Sequence, residues 1–228
     1  MNERHQYILR KIKSDKKVKV SRLARELFVS EMTIRRDLRQ MEADGLLKRY
    51  HGGAIENDHD LLYPIKMRVW MNSNEKKELA LKAKKHLKDY QTIFFNSSST
   101  CAYLVPYLSE FEGIRVITNS IFIMQQVSNL HIPCTLTGGE YNRVENSLSG
   151  RATEDFLREV NVDIAILSCE GLSDDGYVTD SNAELAAVAK VALKNSKKKI
   201  LLMDNSKLNS KYTYNICHVD ILDELIII

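Results

Sequence analysis

The sequence predicts two folded parts: a small N-terminal α+β domain of winged helix-turn-helix type, joined to a larger α/β domain built on a mostly parallel sheet. Three observations carry this. The first 55 residues hold two amphipathic helical patterns about one turn apart, followed by a basic strand pattern that ends in glycines. From residue 75 onward, short β-rich apolar runs alternate with helical patterns, the signature of a parallel sheet covered by helices. Charge divides at the same place: residues 1–55 carry 14 Lys and Arg against 7 Asp and Glu, whereas the whole 228-residue chain carries 33 against 30. The remainder is therefore net acidic.

The chain opens on an amphipathic helix with Tyr7, Ile8 and Ile12 on its apolar side. Val20–Val29 reads as a short helix capped by Ser21, with Leu23, Ala24 and Leu27 as its buried side. Ser30 is placed to cap the next helix, because its side-chain oxygen can accept an amide hydrogen bond from the first turn, and Gly45 is placed to end it. Ile34, Leu38 and Met41 recur at helical spacing, which puts Met32, Arg35, Arg36 and Arg39 on the opposite side. Lys48-Arg49-Tyr50-His51-Gly52-Gly53 then reads as a β-wing whose glycines let the chain turn away. In this arrangement the second helix enters the major groove of DNA and the first crosses the backbone.

Two arginines on a helix are ordinarily a solvated face, but a basic small domain beside an acidic larger one favours nucleic acid. On this reading Arg35, Arg36 and Arg39 divide base-edge from phosphate contacts, and Ser30 and Thr33 touch the backbone at the helix start. Lys48, Arg49 and His51 meet phosphates or the minor groove. Asp37 lies off the outward face and is expected to pair with a neighbouring arginine and hold it in place.

A compositional break over residues 56–73, from Glu56-Asn57-Asp58-His59-Asp60 through Pro64 to Asn72-Ser73, sets the expected boundaries: 1–56 for DNA binding, 57–73 as linker, and 74–228 as the α/β domain. Leu61, Leu62, Tyr63 and Trp70 suggest that part of the linker docks on a surface.

In the larger domain, Glu75–Leu87 has helical spacing and Thr92–Phe95 is a strand. A helix follows through Leu104, Val105 and Leu108. Then come strand 114–118, helix 120–129 and strand 132–136, with further strands at 162–167, 199–203 and 226–228 and a helix at 182–195. Ligands of such sheets bind outside the carboxyl ends of the strands. Those ends carry Asn96-Ser97-Ser98-Ser99-Thr100, Thr118-Asn119-Ser120, Gly138-Gly139, Cys169-Glu170-Gly171 and Asp204-Asn205-Ser206-Lys207. Ser98–Thr100 at a helix start suits a phosphate, with Lys207 as countercharge and Arg143 within possible reach. Taken singly these segments are better explained as turns and caps; five at successive strand ends favour a ligand.

Composition narrows the classes further. At 44% hydrophobic residues the chain can build a true core. Cys101, Cys134, Cys169 and Cys217 are widely spaced in or beside apolar runs and suggest buried thiols, with neither a disulfide framework nor a metal clip. No apolar stretch reaches the length needed to span a bilayer, and no export signal precedes the first helix, so a cytoplasmic protein without membrane, metal or cofactor is expected.

The stretch from Val20 to Ala54, with Val29-Ser30, Thr33-Ile34-Arg35-Arg36-Asp37-Leu38, Gly45-Leu46 and His51-Gly52-Gly53-Ala54, resembles the DeoR family of bacterial transcriptional regulators. Thr118-Asn119-Ser120, Gly138-Gly139, Ser149-Gly150, Asp175-Gly176 and Asp204-Asn205-Ser206-Lys207 are similar to that family's effector domain, which is related to ribose-5-phosphate isomerase. The resemblance implies a repressor of a carbohydrate-utilisation operon controlled by a phosphorylated sugar. Where the family's phosphate loop reads Asp-x-Gly-Ser/Thr-Thr, this chain has Asn96 for the aspartate and Ser98 for the glycine. Symmetric assembly as a dimer or tetramer is expected, since one winged helix makes too few contacts to select an operator. Two other classes compete. An isomerase-like enzyme would use Asp204, Lys207, Glu170 and Asp175 to move protons on a sugar phosphate. An effector-blind DNA-binding protein would have a purely oligomerising C-terminal domain.

Overall fold

The computed structural model describes residues 3–43, 46–55 and 64–228, with Gly45 and Leu61–Tyr63 outside that set. Its contacts divide the chain into two compact units, Met1–Trp70 and Met71–Ile228.

The first unit runs α1 (Glu3–Asp15), β1 (Lys17–Lys19), α2 (Val20–Glu26), α3 (Glu31–Ala43), β2 (Lys48–Tyr50), β3 (Gly53–Ile55) and α4 (Ile65–Arg68). Ile8 and Ile12 of α1, Leu23 of α2, and Ile34, Leu38 and Met41 of α3 close one core with Leu46, Leu47, Ala54 and Met67. Apolar residues three and four apart face inward together, which is why the sequence pattern locates these helices. The wing is a three-stranded antiparallel sheet in the order β1-β3-β2. Its first strand, Lys17–Lys19, was not anticipated, because three residues in a charged run carry no alternation signal.

Two details differ from expectation. Ser21 does not cap α2: the cap position is Lys19, in extended conformation and with no side-chain bond, and Ser21 lies inside the helix. Gly53 does more than let the chain leave, since a Cβ there would sit 2.0 Å from the Val18 carbonyl oxygen. The neighbouring strand passes too closely for any side chain.

The second unit begins with α5 (Ser73–Lys84) and β4 (Thr92–Phe95), followed by a 3-10 helix (Cys101–Glu110). It continues through β5 (Arg115–Thr118), α6 (Ile121–Ser128), β6 (Cys134–Leu136), β7 (Glu140–Asn142), β8 (Ser147–Ser149), α7 (Arg151–Arg158) and β9 (Val162–Leu167). Then come β10 (Gly171–Leu172), β11 (Tyr177–Asp180), α8 (Ala183–Lys194), β12 (Ser196–Met203), a short 3-10 turn (Asn205–Lys207), β13 (Tyr214–His218) and β14 (Glu224–Ile227). Six strands form one wholly parallel sheet in the order β14-β12-β9-β4-β5-β6.

Alternation along β4 shows how the layers form. Ile93 and Phe95 enter a core with Leu79 of α5, Leu104 and Leu108 of the 3-10 helix, and Ile123 of α6. Phe94 points the other way, into a core with Leu157 of α7 and Ala189 of α8. The expected helix through Leu104 is 3-10 rather than α, with Pro106 inside it. Proline has no backbone N–H to donate, so one bond of a regular α-helix could not form there.

The strand order fixes where a site can form. From β4 the chain moves outward to β5 and β6, then returns to lay β9 on the other side of β4 and continues to β12 and β14. The loops after β4 and β9 therefore diverge at the strands' carboxyl ends, the place where ligands of such sheets bind.

Candidate DNA interface and effector site

Ser30 caps α3 as its position predicts: its Oγ accepts the Thr33 amide at 3.2 Å and lies 2.9 Å from the Thr33 hydroxyl. Arg35, Arg36 and Arg39 are exposed on the outward side of α3, and Lys48, Arg49 and His51 are exposed on the wing. The structure thus gathers the predicted nucleic-acid residues on two adjoining elements. They are not equally available. Arg35 donates to Glu31 at 3.0 Å, and Arg49 is held to Glu42 of α3 through its backbone amide at 2.8 Å. Arg36 and Arg39 carry the outward charge of the helix.

Two apolar side chains join them: Met32 is 78% exposed on α3, and Phe28 is 95% exposed at the turn between α2 and α3, where its φ is +53°. Phe28 was missed because a lone phenylalanine beside a valine reads as core. The left-handed backbone that turns it outward has no sequence signal at a non-glycine residue.

Asp37 is 5% exposed and does pair with an arginine, but not with one of its own helix. Arg4 of α1 reaches its carboxylate with Nε at 2.5 Å and Nη2 at 3.1 Å, and His5 Nε2 lies 3.2 Å away. Arg36 and Arg35 stand one and two positions away, and such neighbours on a helix do not face each other. Burial works to raise the Asp37 carboxyl, but the bonds from Arg4 and His5 outweigh it and hold it below its ordinary value. Asp37 clamps α3 to α1.

At these strand ends of the second unit, Asn96 and Ser168 bind each other across the divergent loops. Asn96 Nδ2 donates to the Ser168 carbonyl at 2.8 Å, and the Ser168 amide donates back to Asn96 Oδ1 at 3.2 Å. Lys207 reaches in from the end of β12, donating to Ser168 Oγ at 3.0 Å and to the Cys169 carbonyl at 2.6 Å. Ser97, Ser98, Ser99 and Thr100 are buried beside this junction, and Lys207 is near enough to Cys101 to pull its thiol pKa down against burial, which nevertheless pushes it to about 12.

Several predicted ligand residues turn out to be structural. Ser98 Oγ accepts the Thr100 amide, Thr118 Oγ1 donates to the Phe95 carbonyl, and Ser120 Oγ caps α6 through the Ile123 amide. Gly139 allows contact with Ser149, since a Cβ there would lie 2.4 Å from its carbonyl oxygen, and Gly171 does the same against Ser210 at 2.3 Å. Gly138, with φ +76°, offers its carbonyl to Thr153. Arg143 is exposed in the β7–β8 turn, and no bond joins it to the Ser98 loop among the described residues. Asp204 caps the turn before Lys207 by accepting the Ser206 amide; burial works against its ionisation, but Ser206, Lys207 and Asn72 together keep it ionised.

What remains is a set of buried oxygens without hydrogen-bond partners: Thr100 Oγ1, Asn119 Oδ1, Ser147 Oγ and Glu170 Oε1. Three lie in the segments that follow β4, β5 and β9, and Ser147 opens β8 and bridges to Ser120. Natural proteins rarely leave such groups unsatisfied, and a bound polar molecule is one way of completing them. Among the described residues, no cluster of His, Cys, Asp or Glu is placed to hold a metal ion, and no helix is long and apolar enough to cross a membrane.

Comparison with known proteins decides the family. Residues 4–60 match the DeoR-like helix-turn-helix domain, and residues 71–227 match the DeoR C terminal sensor domain. The chain belongs to the DeoR family. It is 32% identical to the L-fucose operon activator of Haemophilus influenzae over 91% of this chain and 84% of that one. It is 25% identical to the glycerol-3-phosphate regulon repressor of Escherichia coli over 97% and 88% respectively. Among solved structures it is similar to ribose 5-phosphate isomerase A of Methanocaldococcus jannaschii, with TM-score 0.45 and 21% identity over 60% and 55% of the two chains. The DeoR sensor match begins at Met71, where the second compact unit also begins. As a DeoR protein the chain is a DNA-binding transcriptional regulator.

Within the DeoR sensor domain, sequence reasoning missed Lys76. It is a buried lysine of α5 whose Nζ donates to Ser99 Oγ at 3.0 Å. One lysine among several in Glu75-Lys76-Lys77-Glu78 looks like a solvated helix face.

Proposed function

We propose that the protein represses a carbohydrate-utilisation operon and that a phosphorylated sugar, bound at the carboxyl ends of β4, β9 and β12, controls its grip on operator DNA. The observation that carries the sensor half is Thr100 Oγ1, buried and unpartnered in a loop of hydroxyls beside Lys207. A phosphate there would accept from that hydroxyl and from loop amides, with the Lys207 ammonium as countercharge. Asn119 and Glu170 supply acceptors of the kind sugar hydroxyls need. The names of the relatives, an L-fucose operon activator and a glycerol-3-phosphate regulon repressor, agree with control by carbohydrate-derived molecules.

For the DNA half, Arg36 and Arg39 meet base edges, with Thr33 and Ser30 at the backbone and Lys48, Arg49 and His51 on phosphates. Arginine pairs with both acceptors of guanine in the major groove, each such contact discriminating by about 1–3 kcal/mol. The chain works as a homodimer or homotetramer, so that two winged helices address repeated half-sites. Light scattering on the DNA-bound protein tests this, and a monomer at operator-binding concentrations would remove it.

The experiment for the whole reading is a thermal-shift screen of the full chain against phosphorylated sugars, with the operator recovered by selection from random DNA. At least one sugar phosphate should raise the melting temperature while its unphosphorylated sugar does not. If none does, and bound DNA is unaffected by every one of them, the protein is an effector-blind DNA binder instead.

A further inference from the structure

We infer that Lys76 is a second cation of the anion site, and that the first turn of α5 is where occupancy of the site registers. The inference rests on the reading of the Ser98–Thr100 loop as an anion site. Lys76 is 4% exposed, and lysine is almost never that buried. Its ammonium donates to the hydroxyl of Ser99, the residue between Ser98 and Thr100, whose own Oγ1 is buried without a partner. An ammonium held out of water is costly to the fold, but it attracts an incoming anion with little screening.

One helical turn earlier, Asn72 has a left-handed backbone with φ +49°. Its carbonyl accepts the Lys76 amide at 3.0 Å, and its side chain is near enough to the Asp204 carboxylate to help hold that group below its ordinary value. Asp204 caps the turn that presents Lys207. The Lys76–Ser99 hydrogen bond therefore joins the first turn of α5 to the loop after β4, and Asn72 sets the same turn beside Asp204 at the end of β12. An anion that competes with Ser99 for Lys76, or draws Lys207 away from Ser168, changes the load on residues 72–76. That turn follows directly on Trp70, where the first unit ends. A ligand can shift an equilibrium only through contacts that differ between states, and these are such contacts.

The test uses the full chain with inorganic phosphate and glucose 6-phosphate as probes, read by thermal shift and by hydrogen exchange of peptides covering residues 71–80. Wild type should be stabilised, with slower exchange in those peptides. Lys76→Gln should weaken the apparent affinity about tenfold, the loss expected for one charge-assisted bond, and Lys76→Arg should restore most of it. If Lys76→Gln does not fold, phosphate-dependent protection of residues 71–80 in wild type decides the matter, and its absence overturns the inference. If wild type binds, Lys207→Ala loses binding and Lys76→Gln binds as wild type does, Lys76 is structural and this inference alone falls. If neither probe stabilises wild type, the anion-site reading itself falls.

Discussion

Asn96 and Ser168 exchange two hydrogen bonds across the divergence of β4 and β9, and so hold together the two loops between which a ligand would lie. An aspartate at position 96 has no amide to donate to the Ser168 carbonyl, so the amide suits this junction. Asn96→Ala should destabilise the sensor unit by about 1–3 kcal/mol, because it leaves a partly buried carbonyl and an amide unpaired. Denaturant unfolding measures it. A loss below a few tenths of a kcal/mol would show that the loops are held by other contacts.

Arg36→Ala should abolish specific operator binding with little change in melting temperature, since the side chain lies opposite the Ile34, Leu38 and Met41 core. Lys48→Ala should weaken binding to every sequence and reduce the salt slope by about 0.9 for one lost phosphate contact. Binding titrations on specific and random DNA at several salt concentrations separate the two. Unchanged specificity in Arg36→Ala would mark it as a solvated charge.

Asp37→Asn should lower the stability of the DNA-binding unit by about 1.5–3 kcal/mol at neutral pH, because it weakens charge-assisted bonds from Arg4. The Asp37 carboxyl is held below its ordinary value in the fold, so its contribution is complete above that ordinary value and disappears as pH falls through the folded one. The difference between wild type and variant should therefore close in acid. Urea titrations between pH 7 and pH 2 measure this, and a difference that persists at pH 2 contradicts the assignment.

Burial pushes the thiols of Cys101 and Cys217 to about 12, and those of Cys134 and Cys169 to about 11. All four should resist iodoacetamide at pH 8 in the native protein and react after denaturation. Mass spectrometry counts the adducts. Rapid native alkylation of Cys101 would show that the loop after β4 opens.

Much of this was legible because hydrophobic periodicity reports burial. Ile34, Leu38 and Met41 fixed the outward side of α3, and the β-rich runs fixed the parallel sheet. What stayed hidden depends on contacts between distant segments. The β7–β8 hairpin and the β10-β11-β13 sheet are built from strands of two to five residues, too short for alternation to show. The site was harder still: Thr118, Ser120 and Lys207 follow their strands as expected, yet the first two are spent on the backbone, while Lys76 arrives from a helix with no motif. Residue type located the strand ends. Only the fold showed which hydroxyls are satisfied.

If an anion held at the Ser98–Thr100 loop by Lys207 governs DNA binding, Lys207→Ala reveals it most directly. Operator affinity of the full chain is titrated with and without the sugar phosphate found by thermal shift, in wild type and variant. The two proteins should bind operator equally without ligand, wild type should release on adding it, and the variant should stay bound. A Lys207→Ala protein that releases DNA at wild-type ligand concentrations would contradict it.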